Sequence, residues 1–188
     1  MRIAVISDTH FPRRGSALPA PCRDVIARAD LVVHAGDLVD LDALDHVRSI
    51  GTPLVAVHGN ADDAAVRARL PVTATVDADG LRLAVVHDGG PEQGRLERLR
   101  RRFPEAGGVV FGHSHIPLHQ VAEDGFFILN PGSPTDRRRQ PRHSMAEIVV
   151  GEGRVQVAFL TVDGPLGPLP AELVRRSELA RPFPSGAP

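Results

Sequence analysis

Five short apolar runs, Ile3–Ile6, Leu31–His34, Leu54–His58, Leu81–Val86 and Val109–Phe111, each lead almost at once into aspartate, asparagine or histidine. Runs this short and rich in β-branched residues suit strands covered on both faces of a sheet. The polar residues then fall just past the carboxyl ends of successive strands. In an open α/β sheet that edge is where ligand sites form.

The stretches between the runs read as helices. Periodicity predicts helices over Pro21–Ala29, with Pro and Asp in the opening turn, over Leu41–Ile50, and over Ala61–Leu70, where Pro71 stops it. The second half is richer in hairpins. Val72–Asp77 and Leu81–His87 flank Ala-Asp-Gly; Gln120–Ala122 and Phe126–Leu129 flank Glu-Asp-Gly; Met145–Val150 and Arg154–Leu160 flank Gly-Glu-Gly. An Arg-rich helix is expected over Gly94–Phe103. The resulting fold class is α/β (α+β), a two-sheet β-sandwich flanked by helices. Residues 1–161 form the expected domain. Residues 162–188 are a Pro-rich C-terminal tail, with a weak helical stretch at Ala171–Ala180, expected to pack on the surface.

Composition narrows the function classes. With 188 residues, 42% apolar and 24% charged, the chain has the make-up of a globular domain. A net charge of -1 provides no global field toward nucleic acid or an anionic membrane. The arginine clusters at Arg98–Arg102 and Arg137–Arg142 have no aromatic residues among them for base stacking, so nucleic acid is not an expected partner. No apolar run reaches the length of a membrane span, and the single Cys22 fits a reducing compartment, so a cytoplasmic location is expected.

The polar residues at the strand ends form a coherent donor set: Asp8, His10, Asp37, Asn60, His87, His113 and His115. Asp8 with His10, and His113 with His115, are spaced i, i+2, so in extended backbone each pair points to one side. Carboxylate, imidazole and one amide oxygen suit manganese, iron or zinc rather than a thiolate site. Seven donors exceed the need of one ion but suit two ions sharing a bridging carboxylate, about 3.5–4 Å apart. Glycines before Asp37, Asn60 and His113 allow tight turns and close approach of the chain to metal or phosphate.

Ser-Asp8-Thr-His10, Gly-Asp37-Leu-Val-Asp40, Gly-Asn60-Ala-Asp62, His87 and Gly-His113-Ser-His115 resemble the ordered motifs of the calcineurin-like metallophosphoesterases over about residues 1–160. Asn130-Pro-Gly-Ser133 resembles the small YfcE-like phosphodiesterase branch. The resemblance implies one metal on Asp8, His10, Asp37 and His115, and a second on Asp37, Asn60, His87 and His113, with Asp37 bridging and Asp40 orienting a ligand. It implies two divalent ions, manganese foremost, with nickel, iron, zinc or magnesium as alternatives. The expected activity is hydrolysis of a small phosphoester, chiefly a diester, by a metal-bridging hydroxide attacking in line, with Asn60 and His113 as catalytic residues. Asn60 and His58 are expected to contact the phosphate, His58 alternatively being a strand residue packed beneath the site. Many relatives carry His after the motif Asn; here it is Ala61, which puts cleavage of poor leaving groups in doubt. A retromer subunit shares the fold and serves in protein assembly, so a non-catalytic scaffold is the rival reading. A homo-oligomer is left open. His34 is read as a hydrogen-bonded strand histidine, His119 as structural, and Asp62 as a helix cap.

Overall fold

A computed structural model describes residues 1–15 and 17–170, together with the two-residue strand Arg175–Arg176. The elements run β1 (Arg2–Ile6), α1 (Ala20–Ala27), β2 (Leu31–His34), α2 (Leu41–Arg48), β3 (Leu54–Ala56), α3 (Ala64–Arg69), β4 (Thr73–Ala78) and β5 (Leu81–Val86). The second half adds α4 (Arg95–Arg102), β6 (Gly108–Val110), β7 (Leu118–Val121), β8 (Phe127–Asn130), β9 (Ser144–Gly151), β10 (Arg154–Thr161), β11 (Gly167–Pro168) and β12 (Arg175–Arg176). Two sheets result, ordered β11-β10-β9-β1-β2-β3 and β12-β7-β8-β6-β5-β4.

Strand periodicity sorts the core into layers. Ile3, Val5 and Val33 of the first sheet face Leu83, Val85, Val110 and Leu129 of the second, forming the central layer. The alternate residues Ala4, Ile6 and Val32 pack against Cys22, Ile26, Leu44, Val47 and Val66 of α1, α2 and α3. Ala84, Val109, Phe111 and Ile128 of the second sheet pack on Leu99 of α4. The order is helix, sheet, sheet, helix, because adjacent strand residues point to opposite faces and each face needs an apolar cover.

Two of the hairpin turns follow directly from local chemistry. Asp79 and Gly80, and likewise Glu152 and Gly153, have positive φ at both central positions, as the right-handed twist of a two-residue hairpin requires. Residue pairing confirms the short loops, with Ala78 opposite Leu81 and Gly151 opposite Arg154. The core strands β1, β2 and β3 are parallel, as are β5, β6 and β8. Their carboxyl ends therefore lie along one edge of each sheet.

Some boundaries differ from expectation. β3 ends at Ala56; the Val57 N–H still donates to the His34 carbonyl of β2, and the His58 N–H turns to the Pro71 carbonyl. The expected helix at Ala171–Ala180 lies outside the described residues apart from Arg175–Arg176, which pair as a strand parallel to β7. Before that point, Val162 and Leu169 are buried against the domain. Among the described residues no helix is long and apolar enough to cross a membrane.

Candidate metal centre

The seven expected ligands converge where the two sheets' carboxyl edges meet. Their backbone is not extended, as the i, i+2 reading assumed. Asp8, His10, Asp37, His113 and His115 all have positive φ, between 49° and 67°. Non-glycine residues rarely adopt this conformation, which costs of order 1–2 kcal/mol each. Tight turns fold each side chain back over the strand ends, and hydrogen bonds between loops hold them there. The Asp8 N–H donates to the Gly36 carbonyl at 2.9 Å, and the His10 N–H to the Asp37 carbonyl at 3.0 Å.

The three motif glycines act through different physical needs. Gly36 has φ +90°, a conformation that favours glycine. Gly59 and Gly112 instead supply room. A Cβ on Gly59 would sit 2.1 Å from Asp37 Oδ1, and one on Gly112 would sit 2.8 Å from Asp8 Oδ2.

Two groups of donor atoms share Asp37. On one side, His115 Nε2 lies 3.3 Å from Asp8 Oδ1 and 3.2 Å from His10 Nε2, which is 3.6 Å from Asp37 Oδ2. On the other, His87 Nε2 lies 3.4 Å from Asp37 Oδ1 and 3.0 Å from Asn60 Oδ1, which is 2.8 Å from His113 Nδ1. Asp8, Asp37, His87 and His115 are buried, His10 is half-buried, and Asn60 and His113 face solvent. The arrangement has a closed floor and an open mouth.

Tautomers test whether this donor set fits metal ions. His115 Nδ1 faces the Asp136 carbonyl, and His87 Nδ1 faces the Ala35 carbonyl at 2.8 Å. Each carbonyl only accepts, so the ring proton sits on Nδ1 and Nε2 is left with a lone pair. His115 Nε2 then points at a carboxylate oxygen and a second ring nitrogen, and His87 Nε2 at a carboxylate and an amide oxygen. Lone pairs converging in a buried space require a cation, and both imidazoles are anchored as metal-ligating histidines usually are. The residues fit two divalent ions.

Titration properties express the same demand. Burial alone lowers the His87 pKa, but the hydrogen bond to Asp37 and the charges of Asp8 and Asp37 raise it to about 9. Burial raises the carboxyl of Asp37, yet His87, the Ala61 N–H and His10 bring it down to about 2. Asp8 is likewise lowered against its burial by His115, His87 and Ser7. Without metal, a proton on His87 is the substitute cation.

Several supporting residues carry roles different from their sequence readings. Asp62 does not cap a helix; Asp63 caps α3 by accepting from Val66 N–H. Buried Asp62 instead accepts from the N–H groups of Asp37 (3.1 Å), Val39 (2.6 Å) and Gly59 (2.6 Å), joining two ligand loops. Asp40, expected to orient a ligand, caps α2 through the Ala43 N–H. His34 is fully buried between Thr9 Oγ1 and the Gly36 N–H, as read, and burial takes its pKa down to about 4. His119 packs its ring edge against Phe127. His58 is half-buried, and its buried Nδ1 has no partner among the described residues.

The Asn130–Ser133 turn stitches the site together. Asn130 Nδ2 donates to the Gly112 carbonyl at 2.7 Å, and Ser133 Oγ donates to the Asp8 carbonyl at 2.8 Å. Asp88 accepts from the Gly90 N–H and starts a turn, which Arg98 clamps through the Gly89 carbonyl. Only Asn130–Ser133 among these was singled out in the sequence as a motif. The others use common residue types whose partners are remote in the chain.

Asp62→Ala would strand three buried N–H groups at about 1–3 kcal/mol each. The variant should melt well below the parent and bind Mn²⁺ 10- to 100-fold more weakly, measured by calorimetry. The pH dependence of the metal-free protein is a second check. His87 has a folded pKa near 9 against an ordinary 6.5, so its contribution, about 3 kcal/mol, is full below pH 6.5 and lost as pH rises through 9. The chelator-treated protein should therefore lose thermal stability over that window, and His87→Ala should flatten the slope.

The calcineurin-like phosphoesterase superfamily domain matches residues 1–153. A probable metallophosphoesterase of Methanothermobacter thermautotrophicus is 33% identical over 154 residues, spanning 81% of this chain and 88% of that protein. A probable metallophosphoesterase of Methanocaldococcus jannaschii is 35% identical over 167 residues, spanning 87% and 82%. Vacuolar Protein Sorting 29 from Cryptosporidium parvum has a similar structure, with TM-score 0.75 and 20% identity, covering 88% of this chain and 94% of that one. With the family domain matching residues 1–153 and two relatives above 30% identity along most of their length, the chain belongs to the calcineurin-like phosphoesterase superfamily.

Proposed function

We propose that this protein is a dinuclear-metal phosphodiesterase acting in the cytoplasm on a small phosphoester. The observation that carries the reading is Asp37, whose two carboxylate oxygens face two separate groups of donors. Asp8, His10, Asp37 and His115 would hold one ion, and Asp37, Asn60, His87 and His113 the other. Manganese is our first choice, since carboxylate, imidazole and amide donors suit it. When bound, the ions supply Lewis acidity: they make a water acidic enough to attack phosphorus in line and offset charge on the phosphoryl oxygens.

The chain's own residues orient that reaction. Asn60 and His113, at the solvent-facing mouth, touch each other at 2.8 Å and border the space a phosphoryl group would enter. His58, two residues before Asn60, is the further group we assign to the phosphoryl oxygens; its Nδ1 is buried and has no partner among the described residues. Ala61 offers no proton for the departing oxygen. We assign the catalytic unit to residues 1–161, followed by the Pro-rich tail that begins at residue 162.

A scaffold reading has one specific support, the likeness in fold to Vacuolar Protein Sorting 29. A protein used only for assembly has no need for seven convergent donors, and that favours the enzyme. A leaving-group series decides the matter. With Mn²⁺ added, aryl phosphodiesters should be hydrolysed at least about 100-fold faster than alkyl ones, the usual worth of a missing general acid. Asp37→Ala should lose both the metal, by elemental analysis, and the activity. No turnover of any ester by metal-loaded protein would favour the scaffold; equal rates across the series would show that another residue supplies the acid.

A further inference from the structure

The metal centre opens into a cavity of about 520 Å³ lined by His10, Asp37 and Asn60. Its walls carry three guanidinium groups: Arg13 and Arg14, three and four residues after His10, and Arg138, beyond the Asn130–Ser133 turn. Of the arginine run at 137–139, only Arg138 lines this space; Arg137 donates to the Gln140 carbonyl. Ala61 forms part of the wall and leaves it open on that side.

Charge on the walls is not balanced within the protein. Arg14 Nε lies 3.4 Å from Asp136 Oδ2, the wall's one carboxylate apart from Asp37. Arg13 makes no ion pair or hydrogen bond among the described residues, and among them the Arg138 guanidinium makes only a long contact, 3.4 Å, to the His113 carbonyl. The walls thus hold an excess of about two positive charges. Two divalent ions against Asp8 and Asp37 would be matched by the attacking nucleophile and the single charge of a diester. A substrate with uncharged arms leaves the wall charge unanswered. Guanidinium forks bind phosphate and carboxylate in bidentate fashion, and a terminal phosphate, near two charges at neutral pH, answers this excess most fully.

Building on the phosphodiesterase reading, we propose that Arg13, Arg14 and Arg138 form a second-anion subsite that selects phosphodiesters bearing a terminal phosphate or other anionic group on an arm. Arg13 and Arg138 are the specificity determinants. Arg14 is tied to Asp136, whose carbonyl accepts from His115, so it also positions the loop.

The test uses three symmetric diaryl phosphodiesters of matched leaving-group acidity, with arms that are uncharged, carboxylate-bearing or phosphate-bearing. With Mn²⁺-loaded protein, the charged-arm esters should show KM at least about tenfold lower than the uncharged one, and the advantage should shrink with added salt. In Arg13→Ala/Arg138→Ala the ratio should fall toward one, as it should in the Gln/Gln version, which keeps side-chain bulk. Arg101→Ala, on α4 away from the cavity, should retain it. Lack of discrimination in the parent, or its survival in both double variants, overturns the subsite. Should none of the esters turn over, the phosphodiesterase reading fails by itself. Calorimetric binding of the same esters then decides the subsite: tighter binding of charged arms that the double variants abolish upholds it, and equal binding overturns it.

Discussion

Asp37 is the carboxylate on which the rest of the site depends. It is 1% exposed, a position where an anion is costly unless positive charge answers it. One of its oxygens faces His10 and the other faces His87, so each donor group is incomplete without it. Its backbone is in turn fixed by Asp62, and Gly59 has no side chain because a Cβ would meet Asp37 Oδ1. Removing Asp37 would leave neighbouring lone pairs facing one another with nothing between them.

The layered fold is what makes such convergence affordable. Parallel strands on each sheet send their carboxyl ends to one edge, and packing the sheets face to face brings the two edges together. Asp8, Asp37 and Asn60 come from loops of the first sheet, and His87, His113 and His115 from loops of the second. Neither sheet alone holds a complete set of donors for either group. The apolar layer between Val5, Val33, Leu83 and Val110 therefore positions chemistry as well as contributing stability.

The architecture was largely legible in the sequence because it rests on local rules. Short β-branched runs, Asp79-Gly80 and Glu152-Gly153 turns, and Pro near the start of α1 each obey constraints that act within a few residues. The misreadings share a cause. Asp62 and Asp63 are adjacent acids before a helix, and sequence offers no way to see which caps it and which turns inward. Asp40 matches a family motif but is engaged by its own helix. Arg98 resembles a solvated residue until the Gly89 carbonyl, nine positions away, is brought beneath it.

The sequence by itself determined the donor types, their order and their placement after strands, because strand periodicity and residue chemistry are written locally. Only the tertiary structure decided the distances at which those donors meet around Asp37, and that left-handed turns rather than extended backbone aim them. It also decided that arginines from two distant loops meet across one cavity. Those outcomes depend on distances between segments more than a hundred residues apart, which packing of the two sheets sets.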